Sequence, residues 1–185
     1  MVTTEAGGQD TFTVVLTSQP LHNVTLGLSS SDTSEGSLSS TSLVFTAANW
    51  NSPKTVTLTG QDDDIDDGDK PYSIITAEST SADSLYRINP DDISVTNTDN
   101  DTAGFTVIES GGSTNVGEDG SSDTFTVVLN SEPTSDVVLA ISSNDTDEST
   151  VSTGSITFTS GNWDTPQTVS VTGADDNFAD GSQAS

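Results

Sequence analysis

An acidic run at residues 61–69, with the sequence QDDDIDDGD, is the part of this chain whose side chains are best suited to chemistry. Six of these nine residues are aspartates, and the run directly follows a strand-like segment, TVTLT, at residues 55–59. Two unit charges about 4 Å apart repel each other by about 4 kcal/mol at an effective dielectric constant near 20. The aspartates must therefore either spread into water as a solubilising face or be held together by cations.

The overall charge of the chain favours a cation as the partner of this run. The chain has 185 residues, with 29 Asp and Glu against 3 Lys and Arg, and a formal net charge of −26. This balance argues against nucleic acid and anionic membrane surfaces as partners, because both attract Lys and Arg. The sequence has one histidine and no cysteine. Transition metals therefore lack their preferred ligands, whereas Ca²⁺ prefers oxygen ligands such as carboxylates.

A repeat sets the organisation of the chain. The sequence DTFTVVL at residues 10–16 recurs letter for letter at residues 123–129, which is 113 residues further along. The same offset aligns Trp50 with Trp163 and the acidic run with residues 174–182. We predict two copies of one module, at residues 1–101 and 102–185, the first without its opening strand and the second without its closing strands.

The elements that must position the acidic run are short strands. Apolar residues alternate with polar ones or form short runs near residues 11–17, 24–28, 43–45, 55–59, 72–77 and 93–97, and again at residues 105–108. Such runs, rich in β-branched residues and separated by turn residues, are typical of an all-β fold. We therefore predict tandem immunoglobulin-like antiparallel β-sandwiches of about seven strands each. The join at residues 97–102 has no Gly/Ser spacer, so we expect the modules to be joined end to end.

The order of these motifs resembles the Calx-beta family. The second module opens with a strand, a Gly-rich turn and VGE at residues 116–118, followed by the repeated DTFTVVL. A late strand ends in TGQDDD at residues 59–64, and the first module closes with YRINPDDISVTNTDND at residues 86–101. The family includes regulatory domains of sodium–calcium exchangers and tandem repeats of large bacterial surface and secreted proteins. The resemblance covers essentially the whole chain, and its closing segment is similar to the bacterial branch.

The resemblance implies Ca²⁺ ligands at one end of each sandwich: an early glutamate, a mid-chain aspartate, the acidic turn and the terminal aspartates. Carried over to this sequence, these residues are Glu5, Asp32, Asp62, Asp63, Asp64, Asp66, Asp67, Asp99 and Asp101 in the first module, and Glu118, Asp145, Asp175, Asp176 and Asp180 in the second. The second module has Asn177, Ala179 and Ser182 where the first has Asp64, Asp66 and Asp69. Its site is therefore expected to be weaker or to hold fewer ions.

The resemblance also implies a non-catalytic role. It points to a rigid extracellular stalk or matrix element of a bacterial adhesin or cell-surface protein, whose partners are neighbouring repeats of the same chain. The residue types also argue against catalysis. The only histidine, His22, has Ser135 at the matching position of the second module, so a Ser–His–Asp arrangement would not be repeated. No apolar segment is long enough to span a membrane, so membrane insertion is not expected.

Two alternative functions stay open at this point. The chain could be a carbohydrate- or protein-binding module of a larger secreted protein, with Trp50 and Trp163 stacking on a sugar instead of packing at the sandwich edge. It could also be a subunit of an extracellular filament, in which an exposed sheet edge accepts a strand from another copy.

Overall fold

The computed structural model describes residues 1–175 and divides the chain into two compact units. Unit 1 comprises Met1–Asp63 and Asp67–Asn100, and unit 2 comprises Asp64–Asp66 and the chain from Asp101 onward. Strands joined by turns make up both units. Within the described residues the only helices are two 3₁₀ helices of three residues each, at Ser84–Tyr86 and Ser110–Gly112. None of the described helices is long and apolar enough to cross a membrane.

Unit 1 is a sandwich of two β-sheets. Its strands are β1 (Val2–Thr4), β2 (Gln9–Val14), β3 (Val24–Ser30), β4 (Gly36–Leu38), β5 (Ser42–Phe45), β6 (Lys54–Gly60), β7 (Lys70–Thr76) and β8 (Ile93–Thr98). One sheet has the order β1-β8-β7-β3-β5, and the other has the order β2-β6-β4. The pairs are antiparallel apart from β1 and β8, which run parallel with Val2 beside Thr96.

Alternating side chains from both sheets form the core of unit 1. Strand β3 contributes Val24, Leu26 and Leu28, and the facing strand β6 contributes Val56 and Leu58. Successive side chains of a strand point to opposite faces, so the Thr residues between these positions face outward. The alternation seen in the sequence therefore becomes a two-layer sandwich with one apolar interior.

Unit 2 repeats this architecture with fewer strands among the described residues. Its strands are β9 (Phe105–Glu109), β10 (Ser122–Leu129), β11 (Val137–Ala140), β12 (Ser149–Val151), β13 (Ser155–Phe158) and β14 (Gln167–Gly173). They form one sheet of order β12-β14-β10-β9 and a second sheet of β11 and β13. Its core contains Val127, Leu129, Ile156, Phe158 and Val169.

The strand register is the same in the two units. Gln9 lies beside Thr59 where β2 pairs with β6, and Ser122 lies beside Thr172 where β10 pairs with β14. Strands β3 and β5 likewise share their register with β11 and β13. A one-residue slip would turn every apolar side chain to the wrong face, so equal apolar patterns lead to equal registers.

The predicted all-β sandwich fold is confirmed. Each strand predicted from alternation in the first module is present, with ends that differ by a few residues. The prediction missed β1 and β4, because three residues are too few for alternation to be visible. The parallel pairing of β1 with β8 is the one departure from an antiparallel pattern among the described strands of unit 1. No hairpin connects these two strands, so no tight turn imposes an antiparallel direction.

Candidate metal centre

Three strand ends meet at one end of unit 1. Strand β1 ends at Thr4, β6 ends at Gly60, and β8 ends at Thr98. A Cβ atom on residue 60 would lie 2.2 Å from the carbonyl oxygen of Thr4 and 2.4 Å from Oδ1 of Asn97, so only glycine permits this approach. The approach brings the residues that follow β1 and β8 against the start of the acidic run.

Glu5, directly after β1, is a buried carboxylate at this end. Its side chain is 2% exposed, its N–H donates to the carbonyl of Thr98 at 3.0 Å, and its Oε2 accepts the N–H of Asn100 at 3.2 Å. Burial, together with the charges of neighbouring acids such as Asp99, raises the pKa of Glu5 from 4.5 to about 7. Desolvation disfavours an isolated charge, so this carboxylate is stable with either a proton or a cation bound to it.

Glu35, in the turn before β4, is a second buried carboxylate, which the sequence prediction did not include. It is 9% exposed, and its Oε2 accepts Nδ2–H of Asn97 at 3.4 Å. Burial raises its pKa, and the charges of Asp32 and Asp67 act in the same direction. The repeat could have indicated Glu35, because the matching residue of the second module, Glu148, is also a glutamate.

Asn97 connects these elements through hydrogen bonds and is completely buried. Its Oδ1 accepts the hydroxyl of Thr3 at 2.9 Å, and its Nδ2 donates to the carbonyl of Gln61 at 2.9 Å and to Glu35. The hydroxyl oxygens of Thr3 and Tyr72 lie 3.2 Å apart. A buried polar network whose members are satisfied is rigid. Asn97 therefore holds β1, β8 and the first residue of the acidic run together.

The acidic run folds back onto Asp99, the residue that follows β8. Oδ2 of Asp99 accepts the N–H groups of Asp67 at 3.1 Å and Gly68 at 2.6 Å, and its own N–H donates to Oδ1 of Asp69 at 3.2 Å. Gly68 has a φ of 76°, which glycine adopts without strain. Nζ of Lys70 lies 3.1 Å from Oδ2 of Asp67 and offsets part of the negative charge. These bonds hold the turn beside the end of β8.

Three carboxylates form a candidate metal cluster. Glu5, Asp99 and Asp101 each offer one oxygen atom, and these three atoms lie within 4.8 Å of one another. Ca²⁺ binds oxygen ligands at about 2.3–2.6 Å, so two ligands on opposite sides of one ion are about 4.6–5.2 Å apart. The three oxygens are therefore close enough to contact a single Ca²⁺. The donor set is carboxylate oxygen alone, which fits a hard cation and not a thiolate- or imidazole-seeking metal.

Three predicted aspartates of the acidic run, Asp62, Asp63 and Asp67, belong to the same unit as Glu5 and are exposed. Oδ1 of Asp62 lies 3.4 Å from Nδ2 of Asn100, and the charge of Asp63 contributes to the raised pKa of Glu5. These contacts, with the N–H of Asp67 donating to Asp99, place the three residues beside the cluster.

The other two predicted aspartates of the run, Asp64 and Asp66, belong to unit 2. The carbonyl oxygen of Asp64 accepts the N–H of Glu132 at 2.6 Å, and Oδ2 of Asp66 accepts the N–H of Ala103 at 2.7 Å. Ile65 between them is half-buried and lines an apolar cleft of that unit. Neither aspartate is a member of the cluster formed by Glu5, Asp99 and Asp101.

Asp32 mainly organises its own loop. Its Oδ1 accepts the N–H of Ser34 at 3.0 Å and the hydroxyl of Ser34 at 2.5 Å. These hydrogen bonds hold the pKa of Asp32 below its ordinary value. The charge of Asp32 contributes to the raised pKa of Glu35, so it acts on the site electrostatically, and it is not a member of the three-carboxylate cluster.

The predicted ligands of the second module are less enclosed where the structure describes them. Glu118, Asp145 and Asp175 are all exposed. Asp176 and Asp180 lie outside the described residues. In the described part of unit 2 no strand corresponds to β8, whose end covers the equivalent glutamate in unit 1. Burial of the early glutamate thus depends on a strand that is distant in sequence.

The two tryptophans are half-buried. Trp163 packs against the core of unit 2, and its carbonyl accepts the N–H of Leu129 at 3.1 Å. The carbonyl of Trp50 accepts the N–H of Leu16 in the same way, also at 3.1 Å. The core contact of Trp163 favours the packing interpretation of that residue over sugar stacking.

The chain has only limited similarity to known proteins. No family model and no curated protein matches the chain. A crystal structure of CBD12 from CALX1.2 has a TM-score of 0.38 and 13% identity over 96% of this chain and 73% of that chain. A crystal structure of the calcium binding domain CBD12 of CALX1.1 has a TM-score of 0.37 and 14% identity over 94% of this chain and 72% of that chain. At these TM-scores the likeness is too low to carry a conclusion about function.

Proposed function

We propose that the chain contains a non-catalytic calcium-binding β-sandwich module, with Glu5 and Asp99 of unit 1 and Asp101, two residues further along the chain, as the central ligands. One observation carries this proposal: a glutamate that is 2% exposed has a carboxylate oxygen within 4.8 Å of those of two aspartates. An uncompensated charge is costly to bury, and clustered like charges increase that cost. A bound divalent cation offsets both penalties.

The chemistry of the donors favours Ca²⁺ over Mg²⁺. Mg²⁺ needs near-ideal octahedral geometry at about 2.0–2.1 Å, whereas Ca²⁺ accepts six to eight oxygens in flexible arrangements. The cluster combines a buried glutamate with exposed aspartates at its rim, Asp62, Asp63 and Asp67, which can approach the ion without a fixed geometry. We expect Kd values in the range of about 10⁻⁴–10⁻³ M that is typical of extracellular modules.

The proposed role in the parent protein is that of an extracellular, calcium-stiffened structural repeat. Two features support it: the internal repeat, and a net charge of −26 that a calcium-rich exterior would partly neutralise. Asp99 and Asp101 flank Asn100, where the chain leaves unit 1. A cation bound to both aspartates would order this segment, which makes calcium-dependent stiffness the expected property of a stalk built from such repeats.

A matched pair of variants tests the calcium site. Glu5→Gln removes the charge of the buried ligand, and Glu118→Gln makes the same change at the exposed counterpart in the second module. Calcium is titrated calorimetrically into the full chain and both variants, with magnesium as the competing ion. We expect Glu5→Gln to weaken binding at least tenfold and Glu118→Gln to change the affinity of the unit 1 site by less than about threefold. Equal affinities in all three proteins would refute the proposed site.

Small-angle scattering tests the structural role separately. The radius of gyration and the maximum dimension of the full chain are compared in calcium and in chelator. We expect a narrower distribution of lengths in calcium, with the Glu5→Gln variant resembling the chelated protein. If the protein binds calcium by calorimetry but its two scattering curves are identical, the binding site is supported and the stalk hypothesis is wrong.

A further inference from the structure

Lys70, at the start of β7, lies directly opposite Asn97 of β8, which is completely buried. In the same strand pair Tyr72 lies opposite Val95, and both of these side chains are buried in the core. Successive side chains of a strand point to opposite faces, so Lys70 and Asn97 share the inward face with Tyr72 and Val95. Lysine is rarely placed on an inward face unless it is paired there, and the chain has only 3 Lys and Arg residues. An amine and a carboxamide thus face each other across β7 and β8.

The two side chains are within reach of each other. Residues directly opposite in an antiparallel pair have Cβ atoms about 4.5–5.5 Å apart, and the carboxamide carbon of Asn97, Cγ, is bonded directly to its Cβ. Lys70 carries its amine on a flexible four-carbon stem, which is long enough to span such a gap. The side chain is 35% exposed, and Nζ is held 3.1 Å from Oδ2 of Asp67. Rotation of the stem toward the interior therefore brings the amine to the Asn97 carboxamide.

Glu35 supplies an acid–base group at the same carboxamide. It precedes β4, a strand of the facing sheet, and its Oε2 accepts Nδ2–H of Asn97 at 3.4 Å. It is also close enough to Lys70 for its charge to act on the amine. Burial raises the pKa of Glu35 above its ordinary value, so this carboxylate takes up a proton more readily than an exposed one. A nucleophilic amine, a carboxamide and a proton carrier are the three groups that an amide transfer requires.

We propose that Lys70 and Asn97 become joined by an intramolecular amide bond, an isopeptide cross-link between β7 and β8, with Glu35 as the proton carrier. The ion pair with Asp67 favours the protonated amine, so Glu35 first takes a proton from Nζ. Nζ then attacks Cγ of Asn97, the new bond between Nζ and Cγ forms, and the bond between Cγ and Nδ2 breaks. Of the three protons of the lysine ammonium, one stays on the new amide nitrogen and two leave with Nδ2 as an ammonium ion. Glu35 passes protons from Nζ to Nδ2 and ends in the charge state in which it began.

The product fits the hydrogen-bond network that surrounds Asn97. Its carbonyl oxygen, the former Oδ1, still accepts the hydroxyl of Thr3, which lies at 2.9 Å. The amide nitrogen keeps one N–H for the carbonyl of Gln61 or for Glu35, both of which Nδ2 contacts before the reaction. The cross-link closes the chain between β7 and β8 into a covalent loop. A covalent loop restricts the unfolded chain, so the linked unit 1 resists unfolding more strongly than the unlinked one.

The sequence limits the reaction to one site in this chain. The position of the second module that matches Lys70 is Gln183, which has no nucleophilic amine. The other lysine of the chain, Lys54, lies opposite Val14 in its strand pair and so has no carboxamide directly beside it. The expected loss is therefore one molecule of ammonia per chain, and Lys54 serves as the control lysine.

Intact mass spectrometry of the unmodified full chain tests the cross-link. The folded protein is incubated at neutral pH, unfolded in acid, and its mass is compared with the mass calculated from the sequence. We expect a mass that is lower by one molecule of ammonia and, after proteolysis, a branched peptide whose fragments join Lys70 to Asn97. This result does not depend on the proposed calcium site, because the mass is measured on the unfolded chain. A chain that keeps its full sequence mass would overturn the proposal.

Three substitutions identify the reacting groups. Lys70→Arg keeps a positive charge beside Asp67 but removes the amine, and Lys54→Arg makes the same change at the control lysine. We expect Lys70→Arg and Glu35→Gln to have their full sequence masses, and Lys54→Arg to show the loss of ammonia. An asparagine can also lose ammonia by closing to a succinimide, which hydroxylamine cleaves, whereas the cross-link resists hydroxylamine.

The proposal is wrong if the loss of ammonia persists in Lys70→Arg or if hydroxylamine cleaves the chain at the modified residue. A complete loss in Glu35→Gln would overturn the role assigned to Glu35.

Discussion

The backbone N–H of Asn100 donates a hydrogen bond of 3.2 Å to the carboxylate of Glu5, which is 95 positions earlier in the chain. The bond joins the turn after β1 to the segment after β8 and encloses a carboxylate that is 2% exposed. An N–H donor stabilises the charged form of Glu5, but burial outweighs it and the pKa is raised to about 7. This balance lets a proton and a cation compete for one carboxylate near neutral pH.

The competition predicts a pH-dependent calcium affinity. A proton must leave Glu5 before Ca²⁺ binds, so apparent affinity should rise with pH until it levels off above the pKa of about 7. For a single competing proton we expect calcium binding about tenfold weaker at pH 6 than at pH 8. Calorimetric titrations at these two values measure the ratio, and Glu5→Gln should flatten it. A ratio that is unchanged in the variant would assign the pH dependence to other groups.

The same pKa predicts how stability depends on pH without calcium. The pKa of Glu5 is raised from 4.5 to about 7 in the folded protein, so the folded state binds the proton more tightly than the unfolded state. Its contribution to the free energy of unfolding is complete below pH of about 4.5 and is lost as pH rises through about 7. Urea unfolding in chelator from pH 4.5 to 8 measures this trend against Glu5→Gln, which should lack it. A wild-type curve parallel to that of the variant would contradict the raised pKa.

The aspartates predicted as ligands should differ in importance. Asp99 offers an oxygen to the cluster, whereas the carboxylate of Asp66 accepts the N–H of Ala103. We expect Asp99→Asn to weaken calcium binding at least tenfold and Asp66→Asn to weaken it by less than about threefold. Both substitutions remove one charge and keep the side-chain shape, so their comparison separates coordination from general electrostatic attraction. Equal losses would indicate attraction alone.

Asn97→Ala should destabilise unit 1. The substitution removes the amide that bonds the buried hydroxyl of Thr3, which keeps only Tyr72, and the partly buried carbonyl of Gln61; an unsatisfied buried polar group costs about 1–3 kcal/mol. We expect the free energy of unfolding to fall by about 2–4 kcal/mol. Asn100→Ala is the control, because its side chain is exposed and makes only a 3.4 Å contact with Asp62. A change in that control should stay within about 0.5 kcal/mol in urea unfolding.

Gly60→Ala should be disruptive although it adds a single methyl group. The new Cβ would lie 2.2 Å from the backbone oxygen of Thr4, and backbone cannot move aside as a flexible side chain can. We expect a loss of about 1–3 kcal/mol in the free energy of unfolding and a weaker calcium site, because β1 carries Glu5. Gly154→Ala, where no atom lies within 4 Å, is the matched control and should leave stability nearly unchanged. A calcium affinity unaffected by Gly60→Ala would show that the strand contact does not position Glu5.

The sequence by itself determined the repeat, most of the strands and the face that each of these strands buries. These are carried by local patterns, such as the alternation in DTFTVVL, and the period of two specifies which face of each strand is buried. The two copies of this segment pair identically with β6 and β14 for that reason. Local pattern could not reveal β1, which is three residues long and is held by parallel pairing with β8.

Only the tertiary structure decided which acids are buried and which share an environment. Glu5 and Glu118 hold matching positions in the repeat, yet the first is buried beneath the segment after β8 and the second is exposed. Asp63 and Asp66 lie three residues apart in one acidic run and belong to different units. Burial and the pKa depend on chain segments that are distant in sequence, so charge pattern alone predicts where acids gather and not which of them can hold a cation.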